Sequence, residues 1–256
     1  MSLRKPTLDE WFNAYQLREL RKDGFFNPAL LELDISPVYR RHCVAGKRLS
    51  FPALVIKAYA LAAREVPEVN RAYLRTPWGE RVAEYEHISV NVPIAMREHG
   101  KTYLSAIVVR NADGKSVSAI AAEIEQARHR PMDETKLTKW VARKPNRLVW
   151  RTLLRTMHFG AYRWPAWLAS KGGGLSVSSL LDHKHPDSAF AAVSFGPTAT
   201  TLLLSSIDEN GSDQCRLRLG VGLNHVAAGG QTFRRFCDVL QDYLESSDEH
   251  VLQMWD

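Results

Sequence analysis

The sequence predicts an α/β protein, an α+β two-layer sandwich in which helices cover one side of a sheet. Residues 50–66 and 116–128 carry apolar side chains at the three- and four-residue spacing of an amphipathic helix. Residues 217–223 instead alternate leucine and valine with arginine and glycine, the pattern of a strand. Segments of both kinds follow one another along the chain, so a sheet with a helical layer buries both kinds of apolar face.

The predicted helices have start and stop signals as well as apolar stripes. Ser50 is a candidate N-cap with Pro52 in the first turn, and Pro67 ends that helix. Helices are predicted over residues 1–30 (one or two of them), 50–66, 116–128 and 148–157, and in the stretch after residue 230.

The predicted strands are short and separated by turn residues. They are residues 29–38, 87–95, 103–110, 175–180, 189–194, 200–207 and 217–223. Residues 77–79, Pro-Trp-Gly, form a turn before the second strand. Residues 208–211, Asp-Glu-Asn-Gly, are predicted to be the hairpin turn that leads into the last strand.

Length and composition fit one large globular domain or two small ones, and we predict a single domain over residues 1–256. A chain of 256 residues with 45% hydrophobic and 24% charged residues can bury a sizeable core. No run of about 18 apolar residues occurs, and the N-terminus lacks the apolar core of a signal peptide. Cys43, Cys215 and Cys237 lack metal-ligand spacing, so a reduced, cytoplasmic location is predicted.

Residues 129–171 form an additional basic, tryptophan-rich helical segment. From Arg128 to Lys171 there are eleven basic side chains against Asp133 and Glu134, a net charge of 11 − 2 = +9. The whole chain has a net charge of +6, so the remainder is 6 − 9 = −3. A helix packed on the domain with solvated arginines is one interpretation. A helix that binds a partner or an anionic membrane surface is another. Nucleic-acid binding is not favoured, because no known motif accompanies the charge.

His225 is the candidate catalytic residue that the pattern itself offers. It follows the strand 217–223 and precedes Ala227-Ala228-Gly229-Gly230, where a tight turn leads into a helix. A histidine held by a strand and reachable beside a glycine turn is well placed to act as a general base. A hydrogen-bonded structural histidine at a strand end is the alternative.

Five stretches, taken together, resemble a known family. They are LSFPALVIKAYALAAREVPEVN (49–70), HISVNVPIA (87–95), VVRNADGKSVSAIAAEIEQAR (108–128), GGGLSVSSL (172–180) and NHVAAGG (224–230). From about Phe26 to Leu244 the chain is similar to the catalytic domain of the acyltransferase component of 2-oxo acid dehydrogenase complexes, in the chloramphenicol acetyltransferase-like superfamily. The resemblance implies a chloramphenicol acetyltransferase-like fold with a mixed sheet covered by helices.

The resemblance also implies an activity, the transfer of an acyl group between coenzyme A and a thiol of the dihydrolipoyl type or another small acceptor. By position, His225 is the general base and Ser178 the oxyanion donor, with Ser176 as its fallback. Asn224 stands at the first Asp of the family's Asp-His-Arg-x-x-Asp-Gly motif and joins the candidate site. In the family the site lies between subunits of a trimer, so a homotrimer or a multiple of it is expected, with coenzyme A as substrate and no metal. Residues that bind coenzyme A are not assigned.

Two departures leave the activity open. Val226 replaces the motif's Arg and Gly229 its second Asp, and no clear match to the family's N-terminal arginine motif precedes Phe26. The family's second Asp is thought to support the loop through an ion pair. A carboxylate restored at position 229 is therefore expected to be buried and destabilising without an arginine partner, and to be stabilising with one. The alternative to an active enzyme is a catalytically impaired trimeric scaffold or partner-binding module.

The chain has no segment that resembles a lipoyl domain, with its attachment lysine, or a small subunit-binding domain. The expected acceptor is therefore a lipoyl group on another chain, or a different molecule. Asp182, His183 and His185 form a polar loop that is interpreted as solvated and not as a metal site.

Overall fold

The fold is described from a computed structural model. The described residues are 26–44, 49–76, 79–98, 101–129, 174–181, 189–192, 199–210 and 214–249, with positions 152, 153, 155, 156, 251 and 255. The basic segment 129–171 lies almost wholly outside them, as do residues 1–25 and the loop 182–188. The helical prediction for 148–157 is met at the four described positions, where Thr156 donates a hydrogen bond to the Thr152 carbonyl.

Six strands form one mixed sheet in the order β1-β8-β7-β6-β4-β5. The pairs β4/β6 and β6/β7 are parallel, whereas the other three pairs are antiparallel. The strands are β1 (Phe26–Asp34), β4 (Val90–Glu98), β5 (Lys101–Val109), β6 (Leu175–Ser179), β7 (Thr200–Asn210) and β8 (Gln214–Asn224). A separate antiparallel hairpin is made of β2 (Arg71–Thr76) and β3 (Gly79–Glu84). The predicted α/β class with a mixed sheet is confirmed.

The helices of the described part of the chain are α1 (Ser36–Val44), α2 (Phe51–Glu65), α3 (Val117–Arg128) and α4 (Gly230–Glu245). Short 3₁₀ turns occupy Pro67–Val69 and Ala112–Gly114. Among the described residues, none of the helices combines the length and apolar character that crossing a membrane requires.

Helix α2 is the centre of the core, with every residue from 53 to 62 buried. Its Tyr59 is wholly buried, and its ring meets Phe236 of α4 edge to face at 5.5 Å. The Tyr59 hydroxyl is hydrogen-bonded to the Thr200 hydroxyl at the start of β7, and the Ser176 backbone N–H of β6 also faces it. Burial raises the pKa of Tyr59, so the phenol stays protonated and links the helix layer to two strands.

The two faces of the sheet differ in composition. Val177, Leu202 and Val221 are buried on the side that α2 covers. Ser176 and Ser178 alternate with Val177, so they lie on the opposite face, and both are half-buried. The two serines therefore share one face of the sheet, the face turned away from the helices.

The backbone of residues 190–192 crosses this second face directly over Gly220 of β8. A Cβ added at Gly220 would lie 2.5 Å from the Phe190 carbonyl oxygen and 2.6 Å from the Ala192 nitrogen. The Phe190 N–H also donates to Ser205 Oγ at 2.6 Å, which ties the segment to β7. Only glycine at position 220 allows the two backbones to come this close.

Helix boundaries were predicted well because their signals are local. Ser50 is the N-cap of α2 with Pro52 in the first turn, although its side chain makes no capping hydrogen bond. The Ser116 hydroxyl accepts the Ala119 N–H at 3.1 Å at the start of α3. Pro67 follows α2 directly and begins a 3₁₀ turn.

Predictions of local structure were wrong or incomplete at several places. The strand predicted over 29–38 ends at Asp34, whose Oδ1 accepts the Ser36 N–H as α1 begins. The hairpin β2/β3 was missed, because β3 is exposed and rich in charged residues. Residues 189–192 form no strand. Residues 208–210 continue β7 and do not form the predicted turn, and residues 211–213 lie outside the described residues.

Gly220→Ala is expected to destabilise the protein by about 1–3 kcal/mol, because the new methyl group must push the 190–192 backbone off the sheet. Gly114→Ala is the matched control, since a Cβ there meets nothing within 4 Å. Urea unfolding at one fixed protein concentration measures both variants. Equal stability of the two would contradict the close crossing over Gly220.

Candidate active site

A tight turn between β8 and α4 carries His225. Strand β8 ends at Asn224, and α4 begins at Gly230. The Ala227 and Ala228 N–H groups both donate to the Asn224 carbonyl oxygen, at 2.9 and 3.1 Å. The Val226 N–H donates to Asn224 Oδ1 at 3.1 Å. The turn is therefore closed by hydrogen bonds to one residue at its base.

Asn224 is wholly buried, and its own N–H donates to the Ala199 carbonyl at 2.7 Å. These contacts show that Asn224 holds the turn in place. A direct catalytic role for Asn224 stays a prediction.

His225 itself is half-buried. Its ring lies against the first residue of α4, because a Cβ added at Gly230 would be 3.6 Å from His225 Cε1. The imidazole is thus held beside the helix start while part of its surface stays accessible, as a general base requires.

A small apolar cluster lies beneath the turn. Ala227 and Ala228 are 4% and 2% exposed, so their methyl groups point inward while His225 stays at the surface. The cluster consists of Ala199, Leu223, Ala227 and Ala228, with Tyr73 and Phe233 packed against it. Contacts with β2, β8 and α4 therefore fix the position of the turn.

Arg71, the first residue of β2, reaches the same turn. Its Nε donates a hydrogen bond to the Ala227 carbonyl oxygen at 2.5 Å. Its own carbonyl accepts the Ala199 N–H at 3.0 Å, and the Ala199 carbonyl accepts from Asn224. Sequence reasoning missed Arg71, because no strand was predicted there and the contact spans 156 residues of chain.

Strand β6, which carries Ser178, is held at its start by a glycine contact. A Cβ at Gly174 would overlap Asn70 Oδ1 and lie 2.8 Å from Cδ2 of Tyr85, so glycine is required there. Asn70 Nδ2 in turn donates to the Tyr85 carbonyl at 2.9 Å. Burial raises the pKa of Tyr85 to about 12, so its hydroxyl is neutral at physiological pH.

Ser178 and His225 do not meet within one chain. Ser178 pairs with Leu203, which pairs with Gly220, four residues before Asn224 on β8. Strand spacings of about 4.8 Å and rises of about 3.4 Å per residue then put the Cα atoms of Ser178 and Asn224 roughly 17 Å apart. One reacting carbonyl cannot touch both side chains of the same chain.

The two altered motif positions are exposed in the single chain. Val226 is 43% exposed. Gly229 is exposed, has φ −78° as the N-cap of α4, and a Cβ there would meet nothing within 4 Å. The expectation that a carboxylate at position 229 would be buried is therefore wrong for the single chain.

Within the described residues, no group of three or more His, Cys, Asp or Glu side chains is arranged to hold a metal ion. The loop with His183 and His185 lies outside the described residues.

Comparisons with known proteins agree on the fold. The structure aligns with dihydrolipoamide acetyltransferase of Azotobacter vinelandii at a TM-score of 0.67 and 19% identity, covering 99% of this chain and 94% of that one. It aligns with the cubic core of a pyruvate dehydrogenase multienzyme complex at a TM-score of 0.66 and 20% identity, covering 98% of this chain and 94% of that one. For chloramphenicol acetyltransferase the TM-score is 0.52 and the identity 16%, covering 95% of this chain and 99% of that one. The fold is that of the chloramphenicol acetyltransferase-like acyltransferases.

Sequence comparisons point to one family within that class. The family model of the 2-oxoacid dehydrogenases acyltransferase (catalytic domain) matches residues 13–139. Component 2 of the mitochondrial pyruvate dehydrogenase complex of Arabidopsis thaliana, a dihydrolipoyllysine-residue acetyltransferase, is 38% identical over 79 residues, which are 31% of this chain and 13% of that protein. The resemblance to this catalytic domain is confirmed. The matched model ends before Ser178 and His225, whose roles stay predictions.

Gly229→Asp is expected to raise the free energy of unfolding by roughly 0.5–1 kcal/mol. A carboxylate at the N-cap can accept a free N–H of the first turn of α4 and faces the positive end of the helix dipole. Gly229→Asn is the control that keeps the capping group and removes the charge. Urea unfolding of both variants gives the two contributions, and a loss of several kcal/mol in the Asp variant would contradict an exposed position 229.

Proposed function

We propose that this protein is a coenzyme A-dependent acyltransferase that moves an acyl group between coenzyme A and a thiol of the dihydrolipoyl type. The observation that carries the proposal is the turn that holds a half-buried His225 at the end of β8 in a chloramphenicol acetyltransferase-like fold. The A. vinelandii structure was determined to investigate the roles of a serine, a histidine and an asparagine in catalysis, which makes the same residue types worth testing here.

In the proposed mechanism His225 transfers a proton and Ser178 stabilises a negative charge. His225 takes the proton of the acceptor thiol, whose usual pKa is about 8.5, and so generates the thiolate nucleophile. The sulfur attacks the thioester carbonyl carbon of acyl-CoA, and the Ser178 hydroxyl donates a hydrogen bond to the resulting oxyanion. Collapse of the intermediate breaks the bond to the coenzyme A sulfur. That sulfur receives the proton back from the imidazolium.

A second copy of the chain completes the site in this proposal. Because Ser178 and the end of β8 are roughly 17 Å apart in one chain, the His225 of one subunit must work with the Ser178 of another. A homotrimer, or a multiple of it, has a closed symmetry in which every site is made the same way. The exposed Val226 beside His225 gives the turn an apolar side chain for that contact.

The acceptor and the setting are further parts of the proposal. The A. thaliana relative is named for transfer to a dihydrolipoyllysine residue, so a lipoyl group on a partner chain is the acceptor to test first. A cytoplasmic location fits three cysteines without metal-ligand spacing. Binding of the segment 129–171 to an anionic membrane surface is proposed from its charge alone.

The assembly is tested by light scattering. The expected mass is three times the 29.0 kDa of the chain, or a multiple of that. Val226→Glu places a charge next to the proposed contact and is expected to dissociate the trimer, whereas Val226→Ala keeps the site apolar and should leave the mass unchanged. A wild-type protein that is monomeric at micromolar concentration would contradict the proposal that two subunits share the site.

The mechanism is tested by following coenzyme A release from short acyl-CoAs with dihydrolipoamide as acceptor. His225→Ala is expected to lower kcat by about 10²–10⁴-fold, the usual contribution of a general base. Ser178→Ala should lower kcat by about 10²–10³-fold with little change in KM, and Ser176→Ala tests the fallback donor on the same strand, where the same loss would assign the role to Ser176 instead. The double variant should lose less than the product, because both groups act on one transition state.

The second candidate function is a catalytically impaired trimeric scaffold, favoured by the altered motif at Val226 and Gly229. A trimeric wild type with no turnover of any acyl-CoA, and no coenzyme A binding by calorimetry, would leave this alternative.

A further inference from the structure

The turn that carries His225 receives one charged donor from a distant part of the chain. Arg71 is half-buried at the start of β2, and its Nε–H points at the Ala227 carbonyl oxygen. A hydrogen bond from a guanidinium is roughly twice as strong as one between neutral groups. It also has a fixed direction, because the guanidinium is planar.

Among the described residues, the second half of the turn carries only small side chains of its own. Ala227 and Ala228 contribute methyl groups to the cluster beneath, and Gly229 has no side chain. The Ala227 and Ala228 N–H groups donate to the Asn224 carbonyl at the base of the turn, whereas the Ala227 carbonyl accepts from Arg71. Arg71 thus ties the second half of the turn to strand β2.

The backbone around Arg71 keeps the guanidinium in place. The Arg71 carbonyl accepts the Ala199 N–H, and the Ala199 carbonyl accepts the N–H of Asn224, the residue before His225. Strand β2, position 199 and the end of β8 therefore form one continuous hydrogen-bonded unit. The side chain and the main chain of Arg71 thus hold opposite ends of the same turn.

We propose that Arg71 is a positioning residue for His225. By fixing the Ala227 carbonyl, it sets the path of the chain from β8 into α4 and so keeps the imidazole beside Gly230 in the orientation that proton transfer needs. The inference rests on the proposed acyltransferase function, but the contact itself can be tested without any turnover.

The test compares Arg71→Met and Arg71→Lys with Arg81→Met. Arg81 is the matched control, since it lies exposed on the paired strand β3 and donates to the neighbouring Glu80 carbonyl. Hydrogen exchange of peptides that cover 224–230, read by mass spectrometry, is the first measurement. Arg71→Met removes a charged hydrogen bond to the Ala227 carbonyl, so the turn should open more often. The Ala227 and Ala228 amides should then exchange about tenfold faster or more. Arg81→Met should not change it.

Kinetics are the second measurement. In Arg71→Met, kcat should fall about 10–100-fold with KM changed less than about twofold, because substrate still binds while the base is misaligned. Arg71→Lys keeps a charged donor, so its exchange rate and its kcat should lie between those of the wild type and Arg71→Met. If Arg71→Met does not fold, Arg71→Lys is tested in its place.

The outcomes separate the two proposals. Unchanged exchange in the Arg71 variants, or faster exchange with unchanged kcat in an active enzyme, overturns the role of Arg71 and leaves the function standing. A wild type without turnover refutes the function, and the exchange rates then decide alone whether Arg71 fixes the turn.

Discussion

The site depends on the register of β8 between β1 and β7. Nine consecutive pairs with β1 and ten with β7 hold β8 on both edges, so its last residue, Asn224, emerges at one defined point of the sheet. A slip of one residue would move the buried leucines of β8 to the other face and shift Asn224, with the turn that carries His225, away from Ala199. Gly220 lets the chain at 190–192 cross the second face without moving the strand.

The altered motif has a physical explanation that the sequence pattern did not suggest. Loss of the motif's charged groups need not leave a stranded charge, since position 229 is exposed and Arg71 bonds a backbone carbonyl of the turn. The turn is held by hydrogen bonds and buried methyl groups. Such an arrangement can hold the turn without the motif's ion pair, so the changes at Val226 and Gly229 do not by themselves exclude activity.

Local signals predicted local structure. The caps and prolines that begin and end α2 and α3 involve neighbours within a few residues, and those boundaries were correct. The β2/β3 hairpin was missed because its stability comes from pairing and from contact with distant segments, whereas its sequence is rich in Arg and Glu. Arg71 could not be predicted for the same reason, since its partner lies 156 residues further along.

The sequence predicted which residues form the candidate site but not the distances between them. The resemblance implied that Ser178 and His225 meet across a subunit boundary, and the pairing of β6, β7 and β8 gives their separation within one chain. Parallel pairing of β6 with β7 puts Ser178 level with Gly220 near the middle of β8, with β7 between them, whereas His225 lies past the end of β8. A single chain therefore holds Ser178 and His225 at two separate places. Under the proposed mechanism, a second copy must bring its Ser178 to this His225, so activity would be a property of the assembly.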